Sequence, residues 1–248
     1  MKRSPELAFA LVDFAVYEGW EDHLEIWKNA LEIDNSKWKR YNGSKREFPT
    51  DSELDTLHGI IIPGSRYSAN DNWNDAYAFI QKVVERGSPQ LFCGCFGSQL
   101  LAVALGGTVG ANPSKQFCFK SENLEIKSDW YKHPVLCNFW EDGNFGINKS
   151  IRLLETHGEC VTGLPKNAIL AASSDTCVNE IWYIGKNVLA MQSHPEFTVK
   201  LMKERILPKL IEKKLLSENE ISLAESSFCQ SLDSRLVCGA IKEFLCYK

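Results

Sequence analysis

The sequence predicts an α/β fold: a doubly wound, mostly parallel open sheet with helices on both faces and a small antiparallel portion. Three observations predict it. Short, nearly continuous apolar runs, LAFALV at 7–12, III at 60–62 and LF at 91–92, have the composition of strands covered on both faces. Segments with apolar residues at helical spacing alternate with these runs through the first half. In the second half, apolar runs at 124–127, 151–154, 169–172, 180–184 and 188–192 follow one another without long helices between them, which points to antiparallel pairing.

Each element has its own justification. Leu7 to Val12 is a central strand. Glu21 to Leu31 is a helix, because Leu24, Trp27 and Leu31 share a face and the acidic Glu21 and Asp22 suit a first turn; Asp34, Asn35 and Ser36 break it. Asn42 to Asp55 carries Gly, Pro and clustered charges and reads as a surface loop, with the basic run from Lys37 through Arg46 solvated. Ile60 to Ile62 then runs into a tight turn at Pro63-Gly64-Ser65. Beyond it, Ala76, Phe79, Ile80, Val83 and Val84 form one apolar stripe that Gly87 ends. The strand at Leu91 and Phe92 finishes in CGCFG and passes directly into QLLAVALGG, a compact helix closed by Gly106 and Gly107. After His194-Pro195-Glu196 the chain turns helical, with Leu201, Ile206, Leu210 and Ile211 facing inward and Pro208 placed to kink it. The whole chain, 1–248, reads as one domain with 217–248 as a C-terminal helical extension.

Composition narrows the function. The 248 residues are 44% hydrophobic and 24% charged, enough for one substantial core. A net charge of -4 offers no basic field for phosphate backbones, so nucleic acid is not an expected partner. No apolar run reaches the roughly 18 residues of a membrane span, and the opening MKRSPELAFALVDF has too short an apolar stretch for a signal peptide. A cytoplasmic location and no membrane contact are expected. The nine cysteines are scattered without CxxC pairs, which argues against a disulfide framework and a zinc site; no metal and no cofactor are implied. His23, His58 and His133 read as surface or satisfied core residues. Of Trp73, Trp130, Trp140 and Trp182, Trp73 is the one expected to line a pocket, because it follows the turn at 63–65.

A thiolate that attacks an amide needs exposure, a base to ionise it and donors for the oxyanion. Cys95 sits between a buried strand and a helix start, flanked by Gly94 and Gly97, where free amides and the positive helix end favour a thiolate. His194 emerges at the end of an apolar strand, where open α/β sheets place ligands and catalytic groups. Glu196, two residues on, is placed to hold its ring. A buried structural cysteine, a solvated loop histidine and an ordinary helix-start acid are the bland readings of the three taken singly; their coincidence tips the balance. Pro63-Gly64-Ser65 adds a backbone N–H for an oxyanion beside that of Phe96.

GCFGSQ at 94–99, IIPGS at 61–65 and QSHPE at 192–196, in this order, resemble the class I (triad) glutamine amidotransferase family, whose sheet is flavodoxin-like. The resemblance runs from about Leu7 to Leu207. Within that family the chain looks most like the free-standing γ-glutamyl peptidases, plant enzymes that trim γ-glutamate from glutathione conjugates; ETHGECV at 155–161 resembles their H-x-D/E-x-V loop. The resemblance implies Cys95 as nucleophile, His194 as base and then acid, Glu196 as its orienter, and Gly64 and Phe96 as oxyanion donors. It further implies Gln99, Ser98 and Ser65 at the substrate, a small γ-glutamyl molecule. The chain departs from the family in having Cys93 two residues before the nucleophile, where glycine is usual, and Ser98 where histidine is common; Gly97 and Gln99 fit only the frame that makes Cys95 the nucleophile.

Three functions remain open at this point: a hydrolase acting alone, a glutaminase subunit serving a separate synthetase, and a binding or regulatory module that keeps the fold without the chemistry. The first is favoured because the chain carries no acceptor domain and no phosphate-cradling glycine loop. A homo-oligomer is equally open.

Overall fold

The computed structural model describes residues 6–15, 20, 22–139 and 150–247. Glu21 and Trp140 lie outside the described residues.

Among the described residues, nine strands form one open sheet. In chain order they are β1 (Leu7–Asp13), β2 (Ser36–Asn42), β3 (Gly59–Ile62), β4 (Gln90–Gly94), β6 (Cys118–Ile126), β7 (Ser150–His157), β9 (Ile169–Ser173), β10 (Ile181–Ile184) and β11 (Val188–Met191). A separate pair joins β5 (Thr108–Ala111) to β8 (Glu159–Gly163). The large sheet has the order β2-β1-β3-β4-β11-β10-β9-β6-β7. From β2 to β11 neighbouring strands are parallel, and from β11 to β7 they are antiparallel, so the expected antiparallel portion occupies one flank.

Strand residues alternate between two cores, as a pleat covered on both faces requires. Phe9, Leu11, Phe92, Leu189 and Met191 face one side, where helices α1 (His23–Leu31) and α8 (Ser234–Cys246) cover them with Trp27, Leu31, Ile241 and Phe244. Ala10, Val12, Leu91, Cys93, Val188 and Ala190 face the other, under α3 (Asn74–Arg86) and α4 (Phe96–Ala104). Within α3, Ala76, Phe79, Ile80 and Val83 are buried as the stripe predicts, and Gly87 ends the helix in the left-handed conformation at φ 68°. Burying each of the larger side chains stabilises the fold by roughly 1.5–3 kcal/mol.

Several sequence expectations are corrected. The basic run from Lys37 is not a solvated loop over its first half: Ser36–Asn42 is β2, paired in parallel with β1. Its alternation explains this, because Trp38 stacks on Phe9 at 4.8 Å and Arg40 donates from Nε to Asp13 Oδ2 at 2.9 Å, while the alternate residues Lys37 and Lys39 stay outside. A charged, strongly alternating strand suits a sheet edge. Within the expected loop that follows, Asp51–Leu54 is a short helix, α2, started by a capping box between Thr50 and Glu53. ETHGECV is not a loop; it is the end of β7, a bend at Gly158 and the start of β8.

After β11 the chain runs through α5 (Val199–Leu201), a π-helical turn at Met202–Ile206 and α6 (Leu207–Glu212). Pro208 has no N–H to give the carbonyl four residues back, and the adjoining Leu207 N–H reaches Met202, five residues back. Met202, Ile206 and Leu210 consequently face inward, whereas Ile211, expected inside, is 49% exposed. Helix α7 (Glu218–Ser227) packs along β6, where Ser227 bonds the Ser121 backbone, and α8 lies on the parallel strands, where Gln90 donates to the Phe244 carbonyl.

Candidate active site

The site forms where β4 and β11, neighbours in the sheet, end side by side. Met191 is paired with Gly94, and the next amide, that of Cys95, donates to the Met191 carbonyl at 2.7 Å. Cys95 then turns the chain into α4 at φ 48° and ψ -111°, a left-handed value that a non-glycine residue adopts only when its surroundings enforce it. Gly97 is part of that enforcement. A Cβ there would stand 2.0 Å from the Ile62 carbonyl oxygen, so only glycine lets the first turn of α4 lie against β3. This strained strand-to-helix bend lifts the sulfur to the pocket floor.

His194 comes from the loop after β11. Its backbone N–H donates to Leu154 at 2.9 Å and its ring lies flat on Phe197, with centroids 4.2 Å apart. Nδ1 faces Glu196 Oε1 at 2.9 Å and so carries the hydrogen, because a carboxylate only accepts. Nε2 makes no hydrogen bond of ordinary geometry among the described residues. Burial alone would lower the imidazole pKa; the charges of Glu196 and Cys95 outweigh it and hold His194 up at about 10. The ring therefore favours its charged form beside the sulfur at neutral pH.

Gly64, in the turn after β3, is shared by both groups: a Cβ there would lie 2.8 Å from His194 Cε1 and 3.4 Å from Cys95 Cβ. Phe96 supplies the first amide of α4, which has no acceptor within the helix, while its ring is buried against Phe14 and Trp73. Ser65 lines the pocket with its hydroxyl on the Phe14 carbonyl. Gln99 lines it too, although its Nε2 is committed to the Glu159 carbonyl at 2.8 Å and to Gln192 Oε1 at 3.1 Å. Ser98 does not belong to the site: helix geometry turns it into the core, where it accepts from Trp182 Nε1 at 3.1 Å. Cys93 is likewise inside the core, its thiol pushed up by burial.

Trp73 does not line the pocket either. It braces the turn from beneath, bonded to the Ser68 carbonyl at 2.9 Å and edge-on to Phe14. Trp20 lines it instead, stacked on Phe197 at 5.5 Å, and nothing in the local sequence marks it for that place. The pocket has a volume of about 970 Å³. Trp20, Phe117, Phe197 and Leu210 give it an apolar wall, and Arg66, Lys209 and Lys213 contribute positive charge. His23, on the same lining, is buried with Nδ1 held by Asp13 Oδ1 at 3.2 Å, while its Nε2 has no hydrogen-bond partner among the described residues, so it is not the fully satisfied histidine expected.

Behind the site lies a buried acidic group that sequence reading missed. Glu180 accepts the Ser193 N–H at 2.8 Å, one residue before His194, and burial raises its pKa to about 7. Glu155 is fully buried and pushed far above the usual carboxylate range, first by burial and then by the charge of Glu180. His157, 3.5 Å from Glu155, is pulled down to about 3 by burial and by the charge of His194, and so is neutral.

The family model for glutamine amidotransferase class-I matches residues 30–213. Gamma-glutamyl peptidase 5 of Arabidopsis thaliana is 26% identical over 216 residues, covering 86% of this chain and 82% of its own. A provisionally named glutamine amidotransferase of Saccharomyces cerevisiae is 31% identical over 219 residues, 84% of this chain and 79% of its own. Among solved structures, a glutamine amidotransferase of Thermotoga maritima superposes with a TM-score of 0.72 over 99% of this chain and 100% of that one, at 18% identity, a likeness of fold.

Proposed function

The chain belongs to the class-I glutamine amidotransferase family and is a hydrolase of that kind; from this premise we propose that it cleaves a γ-glutamyl amide in a small peptide, through a thioester on Cys95. One observation carries the reading: a cysteine on a strained strand-to-helix bend shares Gly64 with a histidine held by a carboxylate, at the floor of one pocket.

The Cys95 thiolate attacks the γ-carbonyl carbon, and the amides of Gly64 and Phe96 receive the negative oxygen. As the C–N bond breaks, His194 gives its Nε2 proton to the leaving amine. Its neutral ring then takes a proton from water, whose oxygen attacks the thioester and releases glutamate and the thiolate. Glu196 keeps the ring in the orientation that presents Nε2 throughout.

The pocket supports a substrate larger than glutamine. Sites for drug-sized ligands occupy roughly 300–1,000 Å³, and about 970 Å³ with an apolar wall leaves room for a leaving group with bulk of its own. Arg66, Lys209 and Lys213 suit its carboxylates. The basic segment at 37–46, whose first residues form an edge strand, is not part of the lining.

The test is to incubate the protein with glutamine, glutathione and an S-substituted glutathione and to measure the glutamate released, alongside Cys95→Ala. The peptides are expected to react faster than glutamine, and Cys95→Ala to lose about 10³-fold or more. Release from glutamine alone would transfer the reading to a glutaminase subunit, and release that survives the substitution would remove Cys95 from the chemistry.

A further inference from the structure

We propose that Gln192 is a further catalytic residue: its side-chain amide donates to the Cys95 sulfur and holds the attacking thiolate, and Gln99 dictates which end of that amide faces the sulfur. The inference rests on the reading of Cys95 as nucleophile.

Gln192 follows β11 directly, and its backbone N–H is fixed to the Glu180 carbonyl at 2.8 Å. The side chain is 1% exposed, and its Nε2 lies 3.4 Å from Cys95 Sγ, well within reach for an N–H donor to sulfur. The orientation of a glutamine amide is decided by its neighbours. Here Oε1 accepts from Gln99 Nε2 at 3.1 Å, and Gln99 Nε2 is itself set by the Glu159 carbonyl at 2.8 Å. Turning the Gln192 amide over would bring two NH₂ groups face to face and put oxygen lone pairs against the sulfur. A relay of three groups thus delivers an N–H to the reacting atom.

Such a donor favours the charged sulfur over the neutral thiol and over the thioester. It raises the fraction of thiolate present at neutral pH, and it aids departure of the thiolate when water opens the thioester. Hydrogen bonds to charged groups contribute enough for an effect of about ten- to hundred-fold.

The experiment compares wild type with Gln192→Met, which keeps the length and loses the donor, and Gln192→Glu, which sets a carboxylate against the sulfur. Alkylation of Cys95 by iodoacetamide is followed by peptide mass spectrometry at pH 7 and pH 9.5. Both variants are expected to alkylate at least about ten-fold more slowly at pH 7, Gln192→Glu the more so, with the gap closing for Gln192→Met at pH 9.5, where the thiolate forms regardless. A gap that persists unchanged at pH 9.5 marks a merely structural change, and an unchanged rate at pH 7 removes Gln192 from the chemistry; either outcome overturns the proposal. If wild-type Cys95 reacts no faster than the other eight thiols, the nucleophile reading itself fails, which is a separate result. Should the variants not fold, side-chain ¹⁵N spectra of the native chain decide. The Gln192 NH₂ resonance must move when Cys95 is alkylated, and a fixed resonance overturns the proposal.

Discussion

A methyl group at position 64 would intrude on two side chains at once, lying 2.8 Å from His194 Cε1 and 3.4 Å from Cys95 Cβ. The first contact is closer than real carbon atoms allow, and the imidazole, stacked on Phe197 and tied to Glu196, can yield only by losing its alignment. Gly64→Ala is therefore expected to lower kcat/KM by about 100-fold with little change in Tm, because misplacing a reacting group by about 1 Å has that effect. Steady-state kinetics beside a thermal melt checks this; full activity in the variant would mean the ring does not stand over Gly64. At this scale the sequence is legible where chemistry and chain order coincide. Cys95, His194 and Glu196 lie in short motifs at element ends, where local pattern and tertiary position agree. Gln192 sits inside one of those motifs, yet its role depends on β4 lying beside β11, which no local pattern states. Trp20 and His157 reach the pocket only through tertiary packing, and Ser98 was misplaced because proximity in sequence does not say which side of α4 faces the pocket.

Among the elements, α4 depends on one missing side chain. A Cβ at Gly97 would be 2.0 Å from the Ile62 carbonyl oxygen, a backbone atom that cannot swing aside as a side chain could. Gly97→Ala should destabilise the fold by about 1–3 kcal/mol or more, and the displaced first turn should carry Cys95 away from His194. Denaturant unfolding together with glutamate release measures both effects, and a variant that is stable and active would show that α4 does not press on β3. Strands β1, β3, β4 and β11 were legible because a double-sided core demands continuous apolar runs. Strand β2 was not, since an edge strand keeps its charges and buries little. Strand β5, with Thr108 and Ala111 exposed, carries too few buried residues to announce itself. The π-helical turn was equally hidden, although Pro208 marked a disturbance near it.

For the molecule as a whole, the buried acids make stability depend on pH. Glu180 titrates near 7 in the folded protein against an ordinary value of 4.5, so folding favours its protonated form. That contribution is complete below about pH 4.5 and is lost as pH rises through 7. Glu180→Gln is permanently neutral and can still accept from Ser193, so its stability relative to wild type should grow from pH 5 to pH 8, by on the order of 3 kcal/mol. Paired melts across that range test it; a constant difference would place the ionisation elsewhere.

Strand β11 has a further consequence. It is the last strand in the chain among the described residues, yet it lies in the middle of the sheet, between β4 and β10. The bend at Cys95 belongs to the first half of the polypeptide, and His194 reaches it only when β11, which arrives as a hairpin with β10, pairs with β4. A fragment cut before residue 188 would keep Cys95 without His194. On the proposed mechanism such a fragment should release no glutamate, because the strand order brings the second group to the first only after β10 and β11 have joined the sheet.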